Sequence, residues 1–504
     1  MNIKQRRFAE AVAELPYCNP FLPERVEYER QALGEDFVEH GVVWHFATED
    51  ENPNVVEIDA RLEPLFEELR ELILRGEPTA EDRRLYRDVG FYVLYYRYQE
   101  RLRRMLLSET PEGRRSAPFF DEFAADASRI LLDPDLGLED RVAPEVAFAW
   151  FYQARRAFQF IHRSIIGGSM PTAKLRAAVW ESVFTRDMRR FRRSLYERMG
   201  DFTTLITGPS GTGKELVARA IGLSRYIPFD PIRREFTEDY REAFYALNLS
   251  ALSPTLIESE LFGHQKGAFT GALSDRAGWF EDCPPLGAVF LDEIGEIDES
   301  IQVKLLRVLQ TRTFQRLGDT TDRLFRGKLI AATNRNPHDE MQAGRMRQDF
   351  YYRLCSDLVS TPSLSEQLQD APEELENLVL SVAAQTVGRD EAESVALEVL
   401  DWVARELGPR YAWPGNFREL EQCVRNVIVR GAYSRPTASE PEDDLFAPLR
   451  SCNLSAEELL NWYTTLVYQR EGSYLAASRA LEMDRRTVKS RVDEDLLRRF
   501  EGSH

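Results

Sequence analysis

The sequence predicts a doubly wound α/β core with a parallel sheet, set between mainly helical segments. Three observations carry this expectation. Short apolar runs bounded by glycine or charge (Leu205-Ile206-Thr207, Ala288 to Leu291, Leu329 to Ala332) have the character of strands buried on both faces. Helical patterns alternate with them, as the crossovers of a parallel sheet require. A glycine loop, Gly208-Pro-Ser-Gly-Thr-Gly-Lys214, follows the first run and opens a helix at Glu215. That is the strand–loop–helix order of a phosphate cradle.

Composition sets the outer limits. With 504 residues, 43% hydrophobic and 30% charged, the chain has material for about three globular domains. No apolar run approaches the ~18 residues of a membrane helix; the longest, Val89 to Tyr96, contains a glycine. The start, with Lys4, Arg6 and Arg7 before Phe8-Ala-Glu-Ala, does not read as a secretory signal. The five cysteines (Cys18, Cys283, Cys355, Cys423, Cys452) are scattered, which fits a reducing cytoplasm and argues against a disulfide framework or zinc cluster. Of the six histidines only His40 and His45 are close, and they read as ordinary strand or loop residues. The balance of 65 basic against 84 acidic residues gives −19, so any nucleic-acid contact must rest on a local basic patch.

In chain order, the first ~160 residues read as helical. Leu62, Leu65, Phe66, Leu69, Leu72 and Ile73 share one face of a helix closed by Gly76 and Pro78. Thr79 with Asp82 forms an N-terminal cap box for the next, through Leu85, Val89, Tyr92 and Tyr96. A third follows Pro144 and carries Phe148, Trp150, Phe151, Tyr152, Phe158 and Phe160, an aromatic stripe expected as core or docking face rather than a cofactor pocket. The character changes after Gly167-Gly168 to the α/β pattern. Ser365 to Arg430 is helical again, Ser434 to Pro448 is rich in proline and acid, and the last ~50 residues form a small helical unit.

The chemistry lies in the α/β segment. Gly208, Gly211 and Gly213, with Ser210 and Thr212 between them, allow backbone N–H groups to turn toward phosphate oxygens, and Lys214 neutralises the outer phosphates. Glu215 stands where a magnesium-ligating hydroxyl is usual. Gly287 to Glu293 is a buried strand ending in two carboxylates: Asp292 to hold Mg²⁺ through water, Glu293 to polarise the attacking water. Thr333-Asn334 ends another strand, where a polar group could sense the γ-phosphate. Arg347 and Arg353 are, on their own, equally readable as surface ion-pair residues.

Glu258 to His264, Gly267-Ala-Phe-Thr-Gly-Ala272 and Trp413-Pro-Gly-Asn-Phe-Arg-Glu-Leu420, together with Gly208 to Glu215, resemble the AAA+ domain of bacterial enhancer-binding proteins, the activators of sigma-54 RNA polymerase. The resemblance covers about residues 165 to 435, and Glu215 belongs to its pattern. It implies five parts: 1–164 a mainly helical regulatory domain of no recognisable type, 165–364 the ATPase core, 365–433 its helical lid, 434–452 an acidic linker and 453–504 a Fis-type helix-turn-helix. It further implies ATP and Mg²⁺ as cofactors, with Lys214 on phosphate and Asp292 and Glu293 on metal and hydrolysis. Asn248 would switch the glutamate, Thr333 and Asn334 would form the first sensor and Arg418 the second. Arg347 and Arg353 become arginine fingers given to a neighbour in a ring, most often a hexamer built from dimers. Gly267, Ala268, Phe269, Thr270, Gly271 and Ala272 become the loop that touches sigma-54, its glycines permitting movement and Phe269 and Thr270 its tip. Thr361 to Gln367 departs from the pattern in lacking two arginines, which concerns the contacts between core and lid.

In the tail, Ser473 to Leu481 reads as a short helix and Asp484 caps a second one. Arg485, Arg486, Lys489 and Arg491, with Thr487, give it a basic face free of acid. The function implied is a cytoplasmic, ATP-hydrolysing activator that binds double-stranded enhancer DNA and opens the sigma-54 polymerase complex, with no membrane partner. The alternative is a DNA-binding regulator that uses the AAA+ fold for sensing or oligomerisation without acting on sigma-54.

Overall fold

The computed structural model describes residues 1–39, 52–139, 141–409, 411–434, 455–493 and 496–497. His40, His45, Cys452 and the acidic linker beyond Ser434 lie outside the described residues. Five strands form the central sheet: β1 (Thr204–Thr207), β2 (Phe244–Asn248), β3 (Ala288–Asp292), β4 (Lys328–Thr333) and β5 (Asp357–Ser360). Their order is β2-β3-β4-β1-β5 and every pair is parallel. The predicted doubly wound sheet is therefore present, with β1 at the point where the strand order reverses and a phosphate site belongs.

Both faces of the sheet are apolar, with period 2. Ile206, Ala288, Phe290, Ile330, Ala332 and Val359 face one core. Leu205, Leu247, Val289, Leu291, Leu329 and Ala331 face the other, against helices Pro254–Phe262, Glu299–Thr311 and Gln348–Leu354. This is why the strands read as continuous apolar runs rather than alternating ones.

The N-terminal helices follow their signals. The one read from Leu62 begins earlier, at Pro53 under an Asn52 cap, accommodates Pro64 and ends at Arg75 before Gly76. Thr79 and Asp82 close their box, Asp82 N donating to Thr79 Oγ1 at 3.1 Å and Thr79 N to the Asp82 carboxylate at 3.0 Å. That helix runs from Ala80 to Leu107.

The boundary expected at 164/165 separates no two bodies. Residues Met1–Ala432 form one unit and Tyr433–His504 another. The physical reason is a shared core: Val217, Ala218 and Ile221 of the phosphate-loop helix (Lys214–Gly222) belong to one buried cluster with Phe290 and Ile330 of the sheet and with Phe66, Tyr92 and Phe148 of the N-terminal helices. A hairpin of Phe229–Asp230 with Glu235–Phe236 adds to the seam. Its Phe229 meets Phe148 edge-on and its Phe236 stacks on it, with ring centroids 4.7 and 5.8 Å away. Nearby, the buried Arg114 guanidinium grips Asp239, Nη2 to Oδ2 at 2.5 Å. The aromatic stripe of the helix Pro144–Ser164 belongs largely to the core, as expected. Phe148, Trp150, Phe151 and Tyr152 are buried in it, and Trp150, Phe151 and Phe158 also line a cavity of about 530 Å³.

The segment 365–433 contributes helices Glu374–Val387, Arg389–Glu406 and Asn416–Arg430, preceded by Leu364–Asp370. In the second unit, helices Ala456–Glu471, Tyr474–Ala480 and Arg485–Arg491 close on Val467, Ala477 and Val488. No described helix is long and apolar enough to cross a membrane.

Candidate active site

The site forms where β1, β3 and β4 end on the same edge. Register aligns Thr207 with Thr333, and Asn248 with Asp292. After Thr207 the loop turns through Gly208 at φ +146°, and a Cβ there would collide with the Thr361 hydroxyl and carbonyl. Gly211, at φ +78°, lies against the Gly415 carbonyl in the same way. Thr212 braces the loop internally, its hydroxyl donating to Pro209 O at 2.8 Å and meeting Thr361 Oγ1 at 2.6 Å. Glycines serve here because other backbone lies where side chains would go.

Lys214 is buried, and its ammonium donates to the loop's own carbonyls, Gly208 O at 3.0 Å and Pro209 O at 3.1 Å. Burial lowers its pKa, while Glu293 and Asp292 work in the opposite direction. Asp292 is half-buried at the end of β3, and burial, then the charge of Glu293, raises its pKa. A cation beside Asp292 would relieve both costs, so the residues present fit a bound Mg²⁺. Glu293 adopts the left-handed conformation, φ 56° and ψ 49°, rare for a side chain of this kind. Backbone strain of this kind is tolerated where the surroundings fix it and recurs at functional sites. Its carboxylate accepts from Asn334 N at 3.3 Å.

Thr333 is buried and its hydroxyl accepts from Arg335 N at 3.1 Å, so it shapes the turn after β4. Asn334 is exposed beside it. Asn248 does not touch Glu293; its amide oxygen accepts from Ser250 N at 3.0 Å and Oγ at 2.7 Å, capping the following turn. Glu215 points outward, 3.8 Å from Arg219. Ser210 is exposed and meets Arg418 Nη1 at 3.4 Å.

Arg418 is brought to the loop by a contact that residue-level reading missed. Asn416 is buried, sits at φ 54° and bridges three segments. Its amide donates to Ser210 O at 2.9 Å and its oxygen accepts from Leu364 N at 2.8 Å. Phe417 N adds a bond to Gly211 O at 3.1 Å. The available signal was the Pro414-Gly415-Asn416 turn ahead of a helix. The arginine-poor stretch after β5 ties core to helices by other means: Gln367 accepts from the Thr172 hydroxyl at 2.8 Å.

Residues 183–359 match the sigma-54 interaction domain family. This segment is a sigma-54 interaction domain. A Nif-specific regulatory protein of Azotobacter vinelandii is 38% identical over 300 residues, covering 58% of this chain and 53% of that protein. The transcriptional regulatory protein ZraR of Klebsiella oxytoca is 37% identical over 306 residues, 58% of this chain and 63% of its own. The chain thus spans about half to three-fifths of the length of these relatives. Among solved structures, NtrX from Brucella abortus in complex with ADP aligns over 75% of this chain and 76% of that one, at 22% identity and a TM-score of 0.40.

Within the sigma-54 interaction domain, Gly267 to Ala272 forms a tight loop, Gly267 N donating to Ala272 O at 2.9 Å and Ala272 N to Phe269 O at 3.0 Å. Gly267 (φ +84°) and Gly271 (φ +103°) face open space, so conformation rather than crowding selects glycine there. Thr270 is exposed. Phe269 is not a free tip: its ring meets the buried His264 ring edge-on at 5.0 Å, and Ala268 lies against Gly318. Leu273, 85% exposed, is the protruding apolar residue that the sequence did not single out.

Arg347 stands at the N-terminal end of the helix Gln348–Leu354 and is held by Asp349 at 2.9 Å and Glu299 at 2.8 Å, which raise its pKa. Arg353 is exposed and has no ion-pair partner among the described residues. In the second unit, Asp484 accepts from Arg486 N at 2.7 Å and opens the helix as expected. Arg485, Arg486, Thr487 and Lys489 are exposed on it. Arg491 is half-buried and donates to Asn461 at 3.0 Å, so it ties the last helix to the first of the three.

Proposed function

We propose that this chain is an ATP-hydrolysing transcriptional activator that binds enhancer DNA and remodels the sigma-54 RNA polymerase closed complex into the open complex. The observation that carries the reading is the convergence of Lys214, Asp292 and Glu293 at one sheet edge in a domain whose Gly267–Ala272 loop stands open to solvent. Lys214 would exchange its two loop carbonyls for phosphate oxygens. Ser210, Thr212 and the loop amides would position the phosphates, with Arg418 beside them. Mg²⁺, held by Asp292, would offset phosphate charge. Glu293 would accept a proton from the attacking water, poised by its bond to Asn334. Asn248 would act as a switch only by releasing Ser250.

Arg353, exposed and without an ion-pair partner among the described residues, suits donation to a neighbour's nucleotide; Arg347 would first leave Glu299 and Asp349. This supports a ring, most often a hexamer assembled from dimers. Arg485, Arg486, Thr487 and Lys489 are the residues for phosphates and base edges in DNA, on an otherwise acidic chain. The test is open-complex formation in vitro with purified sigma-54 polymerase, ATP and a promoter carrying upstream sites. Assembled, ATP-hydrolysing protein that never engages sigma-54 would favour a regulator that keeps the fold for sensing or oligomerisation.

A further inference from the structure

The cavity of about 530 Å³ beside the aromatic helix has the size of a small-molecule site. Phe151, Ala154, Arg155 and Phe158 line it, at the i, i+3, i+4, i+7 spacing of one helical face. Phe91 and Trp180 complete its aromatic wall. Among its polar groups are donors without acceptors. Trp150 and Trp180 are 6% and 7% exposed, and the Nε1–H of each is buried with no hydrogen-bond partner in the protein. Arg155 Nε is likewise buried and unbonded, and its guanidinium has no ion pair among the described residues. Two other cations at the wall are paired, Arg25 with Glu29 at 2.9 Å and Arg103 with Glu100 at 2.7 Å, while Arg192 donates to the Tyr17 hydroxyl at 2.9 Å and lies over the Phe91 ring. Asp59 is the remaining carboxylate, and burial lifts its pKa to about 6. Buried donors left unbonded beside an aromatic cavity can take an acceptor from outside.

We infer that this cavity binds a small aromatic carboxylic acid, its ring among Phe151, Phe158 and Trp180 and its carboxylate paired with Arg155. An anion suits the donors left over, and a flat ring suits the walls. The opposite face of the same helix packs on the C-terminal end of the phosphate-loop helix, the end away from Lys214. Gln153 donates to Ser224 O at 3.0 Å, and Arg156 donates to Leu223 O at 3.2 Å and Arg225 O at 2.5 Å, capping the end of the phosphate-loop helix. Occupancy of the cavity would therefore press on the element that carries Lys214. This regulatory consequence rests on the ATPase reading, whereas binding does not.

The full chain is titrated calorimetrically with benzoate, naphthoate and biphenyl carboxylate, and with neutral naphthamide as control. At least one carboxylate should bind saturably with one site per chain, and Arg155→Met, which keeps the bulk and removes the charge, should weaken it about tenfold or more. Naphthamide affinity should be unchanged by that variant. Ala154→Trp should abolish binding by filling the cavity, with circular dichroism confirming its fold. Should Ala154→Trp fail to fold, Arg155→Met decides alone. Lys214→Ala, defective toward nucleotide, should bind the carboxylate normally, which separates failure of this site from failure of the ATPase. The inference is overturned if none of the carboxylates binds, or if Arg155→Met binds them as tightly as the wild type.

Discussion

Three side chains carry the proposed chemistry, and each is fixed by a different constraint. Lys214 is held by burial and two carbonyls, Asp292 by the end of a buried strand, and Glu293 by a left-handed turn and one amide. Their losses should therefore differ. Lys214→Ala is expected to weaken ATP binding, whereas Glu293→Ala should bind ATP and turn it over slowly. Equilibrium nucleotide binding and steady-state hydrolysis, measured side by side, separate the two. Wild-type turnover by Glu293→Ala would remove it from the reaction. The sequence led to these residues because a glycine loop and a strand-ending Asp-Glu pair are local patterns. Asn248 shows the limit of such reading: its position beside Asp292 is set by strand register, but its side chain is claimed by Ser250, a competition no spacing reveals.

Elements decide how the site is closed. The turn Trp413 to Asn416 clamps the phosphate loop, and Asn416 does so from a backbone conformation that disfavours alanine. Asn416→Ala should cost about 2–3 kcal/mol, since it strands the buried Leu364 N–H and adds strain at φ 54°. A lower denaturation midpoint together with weaker nucleotide affinity is the expected signature; a change in neither would show that the clamp is dispensable. The Gly267–Ala272 loop is an element of the opposite kind, held by its own backbone and exposed at Thr270. Thr270→Ala should leave ATP hydrolysis and DNA binding nearly unchanged while abolishing sigma-54 binding in the presence of a transition-state analogue, and open complexes with it. Normal open-complex formation by this variant would count against the loop as the contact.

At the scale of the whole molecule, two proposals can be separated. If arginine fingers act between subunits, where one can contribute ~10³–10⁵ in rate, mixing Arg353→Ala with Lys214→Ala subunits should restore some ATP turnover. No recovery in assemblies shown to contain both would exclude donation across an interface. The second concerns the N-terminal helices, which share a buried cluster with the sheet. Deleting residues 1–143 should not release an active ATPase; it should expose apolar surface and give a protein that aggregates or melts without a cooperative transition. Truncation after Ala432 should leave the melting of the larger unit nearly unchanged. A soluble, cooperatively folding 144–504 fragment would show that the shared core is not required. The sequence by itself determined the parallel sheet, the phosphate loop, the helix caps at Thr79 and Asp484 and the basic face of the last helix, because each depends on neighbours a few residues apart. Only the tertiary structure decided that the N-terminal helices share the core of the sheet, that Asn416 reaches Ser210, that Phe269 turns onto His264 and that Trp150, Arg155 and Trp180 line a cavity. Those facts depend on which faces of distant helices meet, and an apolar face carries the same sequence pattern whether it meets protein or lines a space.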